Sequence, residues 1–206
     1  MADRYRNFEE LRQSEREGVD FRICCTRREQ AVTIVAPHGG KIEPVTSEIA
    51  AAIAGAEYNV YCFEGMKPSG NSALHITSAN FDEPRCVELV STSDYVVTVH
   101  GLSGTNEAID VGGLDQVLRD SICAYLVGGG FTAQVIESGA HAGTDPRNIC
   151  NRGSRGAGVQ LEITRALRDA LTGQPERMAD FASAVRSAIV GEIGEQGGSP
   201  PQSRLA

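Results

Sequence analysis

Three side chains that can bind a metal ion stand where predicted strands end. His38 follows the apolar run Ala31–Ala36, and His100 closes the β-branched run Tyr95–His100. In an open α/β sheet, ligands bind beyond the carboxyl ends of the strands, so these two imidazoles can converge in one crevice. Glu43 follows His38 across a Gly-Gly turn that lets both side chains face one point. Two histidines, a glutamate and a vacant fourth position are typical of a catalytic zinc site.

A fourth candidate lies on another predicted strand. Glu162 stands within Val159–Thr164, where its neighbours are mostly apolar. A buried carboxyl has either a partner or a raised pKa, and both suit a general base that takes a proton from water. Two plainer interpretations stay open: Glu162 can face solvent by strand alternation, and His38 can simply form a hydrogen bond in a turn.

The segment 146–168 is unusually basic for this chain. It holds five arginines against one glutamate, a local charge of +4 in a protein of net charge −8. These arginines are Arg147, Arg152, Arg155, Arg165 and Arg168. Because a guanidinium binds a carboxylate through two parallel hydrogen bonds, the segment predicts recognition of an anion.

Individual roles follow from this prediction. We assign Asn151, Arg152 and Arg147 to substrate binding. We also expect Arg152 or Arg155 to stabilise the negative charge that develops on an attacked carbonyl. Arg165 and Arg168 are expected on a solvated helix face.

His75 alternates with two apolar neighbours in the sequence Leu-His-Ile. Such a position either points the imidazole into a cleft or hydrogen-bonds it within a strand. We therefore place His75 among the candidate substrate-binding residues and keep the strand interpretation beside it.

The order of short apolar runs and helix-period segments predicts the fold class. It indicates a single α/β domain with a mixed central β-sheet flanked by helices. Phe21–Cys25 and Ala31–Ala36 are expected to pair as a hairpin around a polar turn. The polar segment Glu137–Gly158 is long for a loop, which favours a functional or a disordered region.

Composition limits the other possibilities. With 206 residues, 41% of them hydrophobic, the chain fits one domain over residues 1–190 and a disordered tail over 191–206. A net charge of −8 and the lack of tryptophan argue against nucleic-acid and anionic-membrane partners. No apolar run could span a bilayer, and the charged first 25 residues lack a secretory signal. We therefore expect a cytoplasmic protein, with release on cell lysis as one route outward.

Four segments together resemble the phage-type poly-γ-glutamate hydrolase family. They are HGGKIEPVTSEIA (His38–Ala50), SALHITSANFDEP (Ser72–Pro84), VVTVHG (Val96–Gly101) and NICNRGSRGAGVQLEITRALR (Asn148–Arg168). The resemblance extends over most of residues 20–190 and implies a zinc-dependent hydrolase similar in fold to the zinc carboxypeptidases. Carried over, the ligands of one zinc ion per chain would be His38, Glu43 and His100, with Glu162 as the general base.

Two features depart from the carboxypeptidase pattern. Four residues separate His38 from Glu43, where the carboxypeptidases keep two. The pair Asn151-Arg152 follows His100, whereas their carboxylate-binding Asn-Arg pair precedes the last zinc histidine. A substrate-binding role for Asn151 and Arg152 thus depends on their chemistry more than on their position.

The resemblance also implies a substrate class. It points to an anionic γ-glutamyl polymer, with a free α-carboxylate on every unit. We separately expect the protein to be a monomer. The alternatives are a zinc amidohydrolase of acidic N-acyl amino acids or cell-wall peptides, and a module that binds the polymer without cutting it.

Overall fold

The computed structural model describes residues 3–197 of the chain. Its strands are β1 (Phe21–Thr26), β2 (Val32–Gly40), β3 (Asn59–Gly65), β4 (Tyr95–Leu102), β5 (Ile109–Gly112), β6 (Ala133–Val135) and β7 (Val159–Thr164). Its α-helices are α1 (Phe8–Ser14), α2 (Thr46–Ala54), α3 (Pro84–Ser91), α4 (Gln116–Gly128), α5 (Arg165–Gly173) and α6 (Pro175–Gly197). Short 3-10 turns cover Asn71–Leu74 and Ile149–Arg152.

The strands form one mixed sheet in the order β1-β3-β2-β4-β7-β5-β6. The central strands β3, β2, β4 and β7 run parallel. Strand β1 is antiparallel to β3, and β5 is antiparallel to β7. The predicted fold class, an α/β protein with a mixed central sheet flanked by helices, is confirmed.

Helices cover both faces of this sheet. Helices α2, α4, α5 and α6 pack on one face, where they meet Ile34 and Val97. Helices α1 and α3 pack on the other, where they meet Val35 and Val96. Adjacent strand residues thus enter different cores, which is why the central strands are almost continuously apolar. None of the helices within residues 3–197 is both long and apolar enough to cross a bilayer.

Two expectations about these elements are wrong. Strand β1 does not form a hairpin with β2; it pairs with β3, from Phe21 opposite Gly65 to Thr26 opposite Val60. Both edges of β2 are already occupied by parallel partners, β3 and β4, so β1 pairs with the free edge of β3. The predicted tail from residue 191 is helical as far as Gly197, because no proline interrupts α6 there. Residues 198–206 lie outside the described residues.

The carboxyl ends of three parallel strands create the crevice in which the site lies. Pairing between β2 and β4 ends at Val35 and Thr98, and His38 and His100 lie beyond that last pair. The register of β2 on β3 shifts between Ala36 and Gly39. This irregularity surrounds Pro37, which has no backbone N–H to donate to a neighbouring strand.

Candidate active site

His38 is fixed in the tautomer that a metal ligand needs. Its ring is buried, and its Nε2 lies 2.8 Å from the carbonyl oxygen of Ile76. Because a carbonyl only accepts hydrogen bonds, Nε2 carries the hydrogen and donates it. Whenever the ring is neutral, its lone pair is therefore on Nδ1, which lies 3.2 Å from Oε1 of Glu43. In metal-binding histidines, the ring nitrogen that does not face the metal usually donates its hydrogen to a carbonyl or carboxylate oxygen, as Nε2 does here.

His100 meets His38 nitrogen to nitrogen. The two Nδ1 atoms are 3.2 Å apart, and Nε2 of His100 lies 3.4 Å from Oγ of Ser78. Burial and the charge of His38 lower the pKa of His100 to about 3, so this imidazole is neutral at pH 7. Two facing nitrogen lone pairs repel unless a proton or a metal cation lies between them.

A short turn brings Glu43 to the two histidines. Its amide N–H donates to the carbonyl of His38 at 2.8 Å, which closes the chain across the two intervening glycines. Its Oε2 accepts the N–H of Gly101 at 2.7 Å and lies 3.9 Å from Nδ1 of His100.

The charges of these groups favour the binding of one cation. Burial would raise the pKa of Glu43, but the charge of and hydrogen bond from His38 lower it to about 2. Burial likewise opposes protonation of His38, yet Glu43 raises the pKa of that imidazole overall. The carboxylate is therefore ionised, and a metal ion that binds here would displace any proton from Nδ1 of His38. The donor set of two nitrogens and a carboxylate oxygen fits zinc.

His75 adds a fourth donor to the cluster. Its ring lies 4.0 Å from that of His38, and its Nε2 is 3.8 Å from Oε1 of Glu43. Ligand atoms of His38, Glu43 and His75 all lie within 4.8 Å of one another. Asp3 holds the ring from behind, with Oδ1 at 2.7 Å from Nδ1 of His75. The structure thus brings together the three predicted metal ligands and His75. The sequence alone places His75 among the candidate substrate-binding residues.

Glu162 lies beside this cluster on the neighbouring strand. It pairs in register with His100, and its Oε1 accepts a 2.8 Å hydrogen bond from Nε2 of Gln160. The side-chain oxygen Oε1 of Gln160 in turn accepts a 2.8 Å hydrogen bond from Nδ2 of Asn148, which fixes the orientation of the Gln160 amide. Burial, with a contribution from the charge of Glu43, raises the pKa of Glu162 to about 8. A carboxyl whose pKa lies near neutrality suits proton transfer, and the interpretation of Glu162 as a solvated side chain is wrong.

These groups line a cavity of about 580 Å³, a size that suits a small ligand or one unit of a polymer. Its opposite wall is the segment 139–148, part of the long polar loop. His141 projects from that wall, with Nδ1 at 3.6 Å from a carboxylate oxygen of Asp110. Within residues 3–197, neither arginine nor lysine is among the lining residues.

Asn151 supports the cavity wall instead of facing substrate. Its Nδ2 donates to the carbonyls of Gly143 and Asp145, and its Oδ1 accepts from the N–H groups of Leu114 and Gly158. Both donors and both lone pairs of the amide are therefore used by backbone. The assignment of Asn151 to substrate binding is wrong.

The predicted catalytic arginines also lie elsewhere. Arg155 stacks on Tyr95 at the start of β4, with Cζ 4.6 Å from the ring centre, and pairs with Asp115 at 2.7 Å. This end of β4 is about 16 Å along the strand from His100. Arg152 donates to the carbonyl of Phe81 at 3.1 Å and does not line the cavity. We expect one of these two arginines to stabilise the attacked carbonyl, but the structure brings neither of them to the cavity, because charge density along the sequence does not indicate where a side chain points.

Two other basic residues differ in how they relate to the site. Arg147 is exposed and pairs with Asp145, a residue of the cavity wall. Arg168, expected in solvent, is buried because it lies on the same helix face as Leu167 and Leu171. The spacing of Leu167 and Leu171 in the sequence could have predicted that this face of α5 is buried. No sequence signal marks Asp3, which lies 72 positions from the histidine it contacts.

Comparisons with known proteins agree with this geometry. The profile of a family described as poly-gamma-glutamate hydrolase matches residues 5–182. YndL of Bacillus subtilis (strain 168), described as a UPF0714 protein, is 39% identical over 172 residues, which cover 83% of this chain and 68% of YndL.

Solved structures extend the comparison. The structure of a bacteriophage poly-gamma-glutamate hydrolase is similar with a TM-score of 0.90 at 35% identity, covering 94% of this chain and all of that one. A YndL structure described as zinc-free gives a TM-score of 0.88 at 35% identity and covers 93% of this chain and 99% of YndL's. An N-formylglutamate amidohydrolase from Ralstonia eutropha JMP134 is similar in fold alone, with a TM-score of 0.55 at 11% identity, covering 86% and 99% of the two chains.

Proposed function

The chain belongs to the poly-γ-glutamate hydrolase family, and from this premise we propose that it is a zinc-dependent hydrolase of γ-glutamyl amide bonds. The observation that carries the proposal is the cluster of nitrogen and carboxylate donors beside a glutamate whose pKa is raised. The description of one YndL structure as zinc-free supports the choice of metal.

His38, Glu43 and His100 would hold one zinc ion per chain, with His75 within reach as a further ligand. When bound, zinc supplies a Lewis acid that polarises an amide carbonyl and lowers the pKa of water. The carbonyl of Ile76 and the hydroxyl of Ser78 keep the two imidazoles oriented for this task.

Glu162 would carry the proton during the reaction. It accepts a proton from the attacking water and delivers it to the nitrogen of the departing amine. Gln160 holds Oε1 of Glu162 by a hydrogen bond, which leaves Oε2 for the exchanged proton. A pKa near neutrality lets the same carboxyl group take the proton from water and later release it to the amine.

The substrate would be an anionic γ-glutamyl polymer. Arg147 pairs with a residue of the cavity wall and would attract the α-carboxylates of the polymer. His75 and His141 line the cavity and would contact the bound unit. We propose that the enzyme acts as a monomer.

Substitution Glu162→Gln tests the proposal, because it keeps the shape of the side chain and removes proton transfer. Turnover of poly-γ-glutamate by the zinc-loaded protein should fall about 10²- to 10⁴-fold. Zinc content, measured by atomic emission on the purified protein, should not change. The matched control is Glu64→Gln, which alters a buried glutamate that pairs with Arg22 outside the cavity and should leave turnover intact.

Equal turnover by the parent chain and Glu162→Gln would contradict the catalytic role. A parent chain that binds zinc and polymer without shortening the polymer would instead be a binding module. Size analysis of the digest separates polymer hydrolysis from action on small acidic amides, since only the former lowers the polymer's mean length.

A further inference from the structure

Arg168 is a buried cation that contacts backbone of three separate segments. On α5 it is 4% exposed, and its Nε donates to the carbonyl of Ile163 at 3.0 Å. Its Nη2 donates to the carbonyl of Leu102 at 3.2 Å, and its Nη1 donates to that of Pro44. A guanidinium is planar and rigid, so the three carbonyls are held at fixed relative positions.

Each of these carbonyls lies next to a residue of the proposed active site. The first segment carries Glu162 immediately before its bonded carbonyl, and the second carries His100 two residues before. The third carries Glu43 immediately before its bonded carbonyl. These site residues come from parts of the chain that are far apart in sequence, and Arg168 is a direct link among them.

The chain also makes room for this guanidinium. Gly101 adjoins His100, and a Cβ added there would stand 2.7 Å from Cζ of Arg168. The same glycine donates its N–H to Glu43 at 2.7 Å. A side chain at this position would displace Arg168 while leaving that hydrogen bond available.

We propose that Arg168 is a positioning residue that sets the distances among Glu43, His100 and Glu162 without touching substrate. This inference deepens the proposed function and rests on it. The ammonium of a lysine is a point charge and cannot donate to three diverging carbonyls, so Arg168→Lys keeps the charge and loses the arrangement. The cavity wall 139–148 has no bond to Arg168 among its hydrogen bonds within residues 3–197, so substrate binding is little affected.

The test compares Arg168→Lys, Arg168→Met and Gly101→Ala with the parent full-length chain. Zinc affinity is measured by competition with a chromophoric chelator, and kcat and KM are measured on poly-γ-glutamate. All three variants should bind zinc about 10- to 100-fold more weakly, as loss of outer-shell support typically does. At saturating zinc, kcat should fall while KM changes little, because ground-state contacts are kept.

Arg186→Met is the matched control. Arg186 also donates to a backbone carbonyl, that of Ile53, but it packs on Tyr58 at the opposite end of the sheet. It should lose thermal stability and keep both zinc affinity and kcat. Unchanged zinc affinity and kcat in Arg168→Lys, or equal losses in Arg186→Met, would overturn the proposal.

The same measurements distinguish failure of the role of Arg168 from failure of the proposed function. If Arg168→Met does not fold, Arg168→Lys and Gly101→Ala carry the test, and retention of parental zinc affinity and kcat by both refutes it. A parent chain that neither binds zinc nor cuts the polymer refutes the proposed function itself. An active parent with unaffected variants refutes only the role of Arg168.

Discussion

The basic segment 147–155 and the carboxyl edge of the parallel strands use their polar side chains in opposite ways. In the segment, the side-chain amide of Asn151 forms all its hydrogen bonds with backbone groups, and Arg155 pairs with Asp115 and stacks on Tyr95. At the edge, His38 and His100 direct nitrogen atoms at each other with only a proton or a cation to separate them. Both regions are polar, but at the edge the partners of these nitrogens are other titratable side chains, and a metal ion can replace the protons that they share.

This contrast separates residues that build a site from residues that act in it. A side chain whose hydrogen-bonding capacity is filled by backbone stabilises the fold and has nothing left for a ligand. Titratable side chains that converge and have mainly one another as partners can instead give up their shared protons to a metal ion. Arg168 belongs to the first class although it lies within the catalytic region, since all of its known bonds go to backbone carbonyls.

The largest test of this contrast removes a donor from the edge. His100→Ala should weaken zinc binding more than about 100-fold, since even outer-shell partners cost about 10- to 100-fold, and turnover should vanish with the metal. Chelator competition measures the affinity. His141→Ala removes an imidazole from the same cavity but outside the cluster and should leave zinc affinity unchanged.

The result also identifies the third ligand. If His100→Ala retained zinc and His75→Ala lost it, the set His38, Glu43 and His75 would be the metal centre instead.

A second, smaller test uses pH to measure how strongly the edge disfavours a second negative charge. The folded, metal-free protein holds the pKa of Glu162 at about 8, against an ordinary value of 4.5. Between these pH values the folded state binds one more proton than the unfolded state, so stability falls as pH rises. The slope attributable to Glu162 should be about 1 kcal/mol per pH unit.

Urea unfolding of the metal-free chain and of Glu162→Gln between pH 5 and 8 measures this slope as the difference between the two proteins. Glu176→Gln, at an exposed glutamate of α6, should keep the parental slope. Parallel pH profiles for the parent and Glu162→Gln would show that Glu162 ionises like a solvated carboxyl.

The smallest effect on catalysis is expected in the basic segment. Arg155→Met should leave kcat and KM unchanged, because the guanidinium lies at the far end of β4 from His100. Asp115 is buried and would lose its ion partner, so the free energy of unfolding should fall by about 1–3 kcal/mol. Steady-state kinetics and thermal unfolding check the two statements, and a tenfold fall in kcat would return Arg155 to the active site.

The convergence of the candidate metal ligands could be predicted because strand ends follow simple rules. His38, His100 and Glu162 each lie on an apolar strand, and parallel strands deliver their carboxyl ends to one edge. The mixed sheet followed from the same alternation of strands and helices.

The rest of the site depends on contacts that no local pattern encodes. His75 reaches the cluster from an irregular segment, and its partner Asp3 lies 72 positions earlier in the sequence. The arginines were misassigned because their number along the sequence indicates charge but not direction. The β1–β2 hairpin was wrong for a related reason: short separation in sequence favoured it, whereas sheet order was decided by pairing of β2 with β3 and β4.

The position of β1 has a consequence for the order of assembly. Its sole strand partner within residues 3–197 is β3, which is made more than thirty residues later and must itself align with β2. Strand β1 therefore stays without its partner until β3 has been synthesised and aligned. Amide protection in a pulsed hydrogen-exchange experiment should accordingly reach Phe21–Thr26 no earlier than Asn59–Gly65.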